Sequence, residues 1–317
     1  MAESLDFHRL QVPVVQAGMG RVARHELAAA VSEAGGLGTI AGVGAPIARE
    51  VAAARALTGA PIAVNLLLPF LRPGDVEAAS AADAIVTFWG QPRRLAAGTW
   101  IHQCGSVQEA KAAAAAGADA VIAQGVEGGG HVRGATPALD LLEQTRAAVS
   151  IPVLAAGGIV DRHGVAAGLE AGAAAAVVGT RFLLSEESRA HPEYKHRCLQ
   201  ATTTVLTELF GLGWPRAPHR VVPNAATDRW LGDDARCPRW ITTAHVVSRP
   251  LIARMPASVQ ARAASRQRSW MPLLGSEPPT DDGPEGLVDS GPLYAGQAVA
   301  RVTDVQPAAR LVADLTP

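Results

Sequence analysis

The chain is poor in the residues that announce several whole classes of protein. Among its 317 residues are only three cysteines, and aromatics make up 4%. Cys104, Cys198 and Cys237 are odd in number and form no C-x-x-C pair, so neither a disulfide framework nor a metal site is expected, and a reducing compartment fits. Charge of one sign is also missing. Basic and acidic residues number 28 and 29 with no block of either, which leaves no electrostatic footprint for nucleic acid or an anionic membrane. A small neutral or anionic substrate is the expected partner, and a homodimer the assembly allowed for. No apolar run is long enough to cross a bilayer, and the first ten residues lack the basic-then-apolar pattern of a leader, so a soluble, unprocessed, cytoplasmic protein is expected. H-E-x-x-H, G-x-S-x-G and G-x-x-x-x-G-K-[ST] are absent, which removes zinc protease, serine hydrolase and P-loop readings.

What is present is a repeated βα pattern on a 48% hydrophobic chain, enough to bury a large core. Short apolar runs predict strands at Val12–Ala17, Leu37–Ala41, Pro61–Leu66, Ala84–Phe88, Thr99–Gln103, Ala120–Ala123, Pro152–Ala155 and Ala174–Val178. Ala-rich segments at His25–Ala34, Pro46–Leu57, Pro73–Ser80, Val107–Ala116, Pro137–Val149 and Arg162–Ala171 predict helices between them, several opening at Pro and closing at Gly. Eight such strands predict an α/β fold, a (β/α)8 TIM barrel. Trp89–Gly98 is too short for a helix with two loops, so one βα unit is contracted. The period stops near Ser188. Residues 1–188 and 292–317 are therefore assigned to the barrel, and 189–291 to a smaller, mostly helical appended subdomain covering the substrate. Within it His191–Leu209 and Ala253–Gln267 read as helical and Gly275–Gly291 as a Pro/Gly/acid-rich loop, while Pro307–Leu315 closes the chain as a helix.

The chemistry concentrates at the strand exits. Gly18-Met19-Gly20 with Ala23 matches a dinucleotide fingerprint in form, but strand two ends Ile40-Ala41-Gly42 without the acidic residue a ribose needs, and a tight turn is the simpler reading. Gly157 and Gly158 after strand seven, and Gly179-Thr180 after strand eight, stand where such barrels bind phosphate through backbone N–H groups. Arg181 either adds charge there or pairs with Glu186 or Glu187. After strand six, Ala123–Gly134 reads A-Q-G-V-E-G-G-G-H-V-R-G. Side-chain-free backbone at Gly128, Gly129 and Gly130 admits a flat ligand closely, and His131 behind it has an ordinary pKa of about 6.5, suited to moving a proton at neutral pH. Gln124 offers an amide to a heterocycle, and Glu127 braces the loop. Asn65, a polar residue in an apolar run, faces the same mouth. His102 is a secondary candidate pointing into it, Arg24 and His25 cap or solvate the first helix, and Asp161, beside His163, is an N-cap.

A phosphate site, a glycine surface and a proton-moving histidine on one barrel face suit a flavin mononucleotide (FMN) enzyme. Seven segments are similar to those of the nitronate monooxygenase (2-nitropropane dioxygenase) family: P-V-V-Q-A-G-M-G (13–20), E-L-A-A-A-V-S-E-A-G-G-L-G (26–38), V-N-L (64–66), G-A-D-A-V-I-A-Q-G-V-E-G-G-G-H (117–131), V-L-A-A-G-G-I (153–159), V-G-T-R-F (178–182) and L-Y-A-G-Q-A-V (293–299). The resemblance implies that His131 is the catalytic base and that FMN is held by Ala17, Gly18, Met19, Asn65, Gln124, Gly129, Gly130, Gly157, Gly158, Val178, Gly179 and Thr180. Tyr294, Gly296 and Gln297 are implied to fold back to the site. The implied reaction is oxidation of an alkyl nitronate by O2 to a carbonyl compound and nitrite. Gly18, Gly20 and Gly128 depart from the Pro, Ala and Ala usual for the family, and the stretch from Asn65 to Ser106 is shortened. An NAD(P)H-using flavin reductase for quinones or enoyl thioesters is the alternative, and a non-catalytic flavin- or ligand-binding protein the second alternative.

Overall fold

In chain order the elements of the computed structural model are β1 (Val14–Gln16), α1 (His25–Glu33), β2 (Gly38–Ala41), α2 (Ile47–Leu57), β3 (Ile62–Leu67), α3 (Asp75–Ala79), β4 (Ala84–Phe88), β5 (Thr99–Cys104), α4 (Val107–Ala115), β6 (Ala120–Gln124), β7 (Gly130–His131), α5 (Ala138–Arg146), β8 (Val153–Ala156), α6 (Arg162–Glu170), β9 (Ala176–Val178) and α7 (Thr180–Leu183). The remaining elements are α8 (Pro192–Gln200), β10 (Val205–Thr207), β11 (His219–Val222), α9 (Ala225–Trp230), α10 (Arg239–Arg254), α11 (Ala257–Ser265), β12 (Leu293–Tyr294) and α12 (Ala308–Leu315). The structure describes residues 7, 10–232, 235–255 and 257–317, without the side chains of 253, 257, 258, 260 and 261.

Eight parallel strands run in the order β1-β9-β8-β6-β5-β4-β3-β2. The ring closes between its ends, where the Leu37 N–H donates to the Val14 carbonyl and the Gln16 N–H to the Leu37 carbonyl, each at 2.9 Å. All eight expected strands and all six expected helices are present. Alternate strand residues fill the barrel interior, among them Val15, Ala63, Val86, Ile101, Ile122, Leu154 and Val177, with Phe7 packed against them. The opposite faces meet the helices: Leu27, Val31, Leu311 and Val312 of α1 and α12 pack on Val14, Ala176 and Val178. Small residues let those layers close in. A Cβ on Gly38 would lie 1.9 Å from the Ala28 carbonyl oxygen, so α1 rests directly on β2.

The contracted unit is as expected, since residues 89–98 contain no helix, only bends and irregular chain between β4 and β5. The helical reading of His191–Leu209 needs correction: α8 stops at Gln200, and Val205–Thr207 forms β10. Three consecutive threonines followed by valine favour extended backbone over a continued helix. The Ala253–Gln267 reading also shifts, because α10 ends at Arg254 and α11 covers Ala257–Ser265. Beyond helices, the region after Ser188 contributes β10 and β11 to a second, antiparallel sheet. In it β11 pairs with β10, with β12, and with β7 of the glycine-rich loop. This sheet ties residues 205–222 and 293–294 onto the barrel mouth.

Candidate active site

A cavity of about 900 Å³ opens at the C-terminal ends of the barrel strands. Ala17, Gly18, Met19, Asn65, Gln124, Gly129, Gly130, His131, Gly157, Gly158, Gly179, Thr180, Tyr294 and Gly296 all border it. Two expected residues do not. The Val178 side chain turns outward into the helix layer, and its carbonyl accepts the Ala17 N–H at 3.0 Å. Gln297 is exposed, and its N–H donates to the Glu127 carbonyl at 3.0 Å, which fastens the C-terminal return to the glycine loop.

That loop is built by close backbone approach. A Cβ on Gly129 would lie 2.6 Å from the Ala295 carbonyl carbon and the Gly296 nitrogen, so only glycine fits. Gly130, at φ 70°, turns the chain into β7, whose two residues pair with Arg220 and His219 of β11. Side chains then lock it from three directions. The Gln124 amide donates to the His131 carbonyl at 3.2 Å, the Arg220 guanidinium donates to the Val126 carbonyl at 2.9 Å, and the Glu127 carboxylate accepts the Ala138 N–H at 3.0 Å at the start of α5. His131 thus stands on a paired strand rather than on a free loop.

Aromatic rings enclose it. The Trp214 indole stacks on the imidazole with centroids 3.8 Å apart and planes 21° apart, while Trp89, Tyr294 and His219 approach at 6.0, 5.6 and 5.2 Å. His131 Nε2, Gln124 Oε1 and Trp214 Nε1 are shut off from solvent and have no hydrogen-bond partner among the described residues. Burial, with the neighbouring His219 as a smaller cause, pushes the His131 pKa well below the usual histidine range. The imidazole is therefore neutral at pH 7. His219 is neutral too: one ring nitrogen accepts the Phe210 N–H at 3.2 Å, the other meets the Ala217 carbonyl at 2.9 Å, and burial brings its pKa down to about 4.

Of the other sequence candidates only Gly20 and Gly128 border the cavity. His102 does not enter the mouth; strand alternation gives that place to Gln103, and His102 is buried against Thr87 Oγ1 at 2.7 Å, with Glu109 3.7 Å away. Arg181 pairs with Asp304 rather than with Glu186 or Glu187. Arg24 stands at the N-cap of α1, as expected, but without a side-chain cap bond; its guanidinium lies 4.0 Å from the Glu50 carboxylate, which His25 binds at 2.8 Å. Asp161 does cap α6, accepting the Gly164 N–H at 2.9 Å. Gly20, at φ 57°, begins a single 3-10 turn, in keeping with the tight-turn reading. Sequence reasoning missed Trp214, Trp89 and His219. Their only advance signal was aromatic and histidine residues outside any period.

A family model described as nitronate monooxygenase matches residues 2–100 and 93–229. A Rhodococcus jostii protein named (3aS,4S,5R,7aS)-5-hydroxy-7a-methyl-1-oxo-octahydro-1H-indene-4-carboxyl-CoA dehydrogenase is 38% identical over 228 residues, covering 67% of this chain and 63% of that protein. The chain thus spans somewhat less than two thirds of that relative's length. Among solved structures, FabK from Thermotoga maritima superposes with a TM-score of 0.74 at 29% identity, covering 98% of this chain and 93% of its own. Nitroalkane oxidase from Streptomyces ansochromogenes superposes with a TM-score of 0.71 at 31% identity, covering 96% and 95%.

Proposed function

The chain belongs to the nitronate monooxygenase family, and we propose that it is an FMN-dependent oxidoreductase that uses O2 to convert alkyl nitronates, and the nitroalkanes that yield them, to a carbonyl compound and nitrite. One observation carries the reading: His131 offers an unpartnered, enclosed Nε2 on a neutral imidazole at a cavity walled by glycine backbone. The residues present fit the cofactor. Gln124 Oε1 is an enclosed acceptor without a donor, and Gly157 and Gly158 hold φ values of 111° and 72° that favour glycine, leaving backbone bare for a flat ring and a phosphate. Gly179 and Thr180 would take the phosphate, and Ala17, Gly18, Met19, Asn65, Gln124, Gly129 and Gly130 the ring system. FMN, when bound, supplies a two-electron acceptor that O2 restores.

The chain's own part is proton handling and exclusion of water. With a neutral nitroalkane, His131 Nε2 takes the α-proton; with a preformed nitronate there is no proton to take. Trp214, Trp89 and Tyr294 keep water from the imidazole, and β11 holds its backbone. His131→Asn should keep bound flavin and slow neutral nitroalkane turnover by roughly 10²–10⁴-fold, with a much smaller loss on the nitronate. Equal losses on both substrates would reject the general-base role.

A second reading, an NAD(P)H-using flavin reductase for thioesters or quinones, is favoured by the carboxyl-CoA dehydrogenase name of the Rhodococcus relative. The purified protein separates the two. A flavin spectrum with nitrite release from ethyl nitronate in air supports the monooxygenase. Bleaching by NADPH without air, and no nitrite, supports the reductase, while a colourless protein that takes up no FMN rejects both.

A further inference from the structure

The segment over the cavity has a charge pattern found nowhere else in the chain. Between residues 235 and 276 there are seven arginines and no aspartate, glutamate or lysine. One of them, Arg249 of α10, borders the cavity and forms no ion pair among the described residues. Arg72, after β3, borders it from the barrel side. The Asp75 carboxylate nearby accepts the Arg72 backbone N–H at 2.8 Å and forms no ion pair with its guanidinium among the described residues. Arg21, the remaining arginine on the lining, is matched by Glu277 at 3.4 Å.

The proposed phosphate cradle has no need of Arg72 or Arg249. It follows β8 and β9, and in the ring β8 lies four strands from β3, on the opposite side of the barrel. Apolar residues flank the two arginines in the chain on the same cavity, Phe70 and Leu71 before Arg72 and Leu251 and Ile252 after Arg249, and Met271 and Leu273 line it as well. Arginine's planar fork suits carboxylate and phosphate, and an unmatched cation beside low-dielectric walls draws anions inward.

We propose that this outer end of the cavity is an oxyanion site, so that the preferred substrates are amphipathic. An apolar body would reach from His131 to the rim, and a terminal carboxylate or phosphate would meet Arg249, with Arg72 as the second contact. The proposal rests on the reading that the reacting carbon lies at His131.

The test pairs a binding and a kinetic measurement on the FMN-loaded protein. Quenching of tryptophan emission, to which Trp214 on the cavity contributes, is titrated with decanol, decanoate and decyl phosphate, and kcat/KM is measured for nitronates of equal length ending in methyl, carboxylate or phosphate. Anionic ends should bind and react about tenfold better than neutral ones, mainly through KM, and the advantage should shrink as salt rises. In Arg249→Gln the anionic-to-neutral ratio should fall close to one in both measurements, while Arg262→Gln, away from the cavity lining, should keep it. Whichever anion gives the larger ratio identifies the natural end group. Equal binding of all three ligands, or a ratio unchanged in Arg249→Gln, overturns the proposal. If no nitronate reacts but the titration still shows an anion preference that Arg249→Gln abolishes, the reaction assignment fails and the oxyanion site stands.

Discussion

The barrel and the segment that covers it are built from different residues for different work. The barrel uses alanine, glycine and valine in a strict period, and at the strand exits it turns bare backbone to the cavity at Gly18, Gly129, Gly157, Gly158 and Gly179, with the amides of Asn65 and Gln124 among them. The cover has little period and brings side chains instead, among them Trp214 against His131, His219 beside it and Arg249 at the rim. A cofactor common to a family can be held by backbone that every strand exit offers. Selection among substrates needs side chains that differ from one member to the next. Under the function proposed, the difference separates the surface that would hold the cofactor from the side chains that would meet the substrate.

The largest expected effect would strike the barrel. In Gly38→Ala the new methyl would overlap the Ala28 carbonyl oxygen at 1.9 Å, within backbone that cannot move without lifting α1 off β2. A loss of about 3 kcal/mol or more is expected, read from the urea midpoint of unfolding. Gly213 in the cover, unlike Gly38, sits at positive φ, 85°, but a Cβ there meets nothing within 4 Å. Gly213→Ala should cost only the left-handed strain, about 1 kcal/mol. Equal costs would mean that the cover is packed as tightly as the barrel.

The next effect comes from acid and should originate in the cover. Burial pushes His219 and His245 each down to about 4, and lowers His131 as well. Between pH 4 and 6.5 the unfolded chain therefore binds protons that the folded chain refuses. The stability these neutral histidines allow is complete above pH 6.5 and is lost as pH falls toward 4, by about 1.4 kcal/mol per pH unit for each group. Melting temperature should decline over that range. His245→Leu should flatten the decline, because His245 Nε2 is enclosed without a partner among the described residues and leucine asks for none. An unchanged slope in that variant would move the acid sensitivity to other groups.

How much was legible follows the same division. The barrel strands and helices appear where the βα period put them, because local periodicity and the Pro and Gly ends fix them before any tertiary contact forms. The glycine loop and His131 were legible because a glycine run leaving a strand has few structural uses. The small sheet was not. β10, β11 and β12 have two to four residues each, and β7, β11 and β12 come together from positions 131, 219 and 294. No local pattern records such pairings. Trp214 is the clearest omission, since its stack on His131 joins residues more than eighty positions apart. Arg181 failed for a related reason: Asp304, its partner, lies across the fold, while Glu186 and Glu187 were merely close in sequence.

The smallest expected effect bears on that stack. Trp214→Phe keeps an aromatic ring in position over the imidazole and removes an enclosed indole N–H that has no acceptor. Leaving such a donor unpaired costs about 1–3 kcal/mol. Its removal offsets the weaker packing of a smaller ring against Phe70 and Trp89, whose rings lie 5.0 and 5.1 Å from the indole. Stability should therefore change by no more than about 1 kcal/mol. Because burial is the main cause of the low His131 pKa, a phenyl ring in the same place should leave the acid limb of neutral nitroalkane turnover where it was. Trp214→Ala, which admits water, should move that limb upward toward the ordinary histidine range. If Trp214→Phe alone moved it as far, the indole N–H rather than the covering ring would be what keeps His131 neutral, and the cover's role at the base would be a specific polar contact instead of exclusion of water.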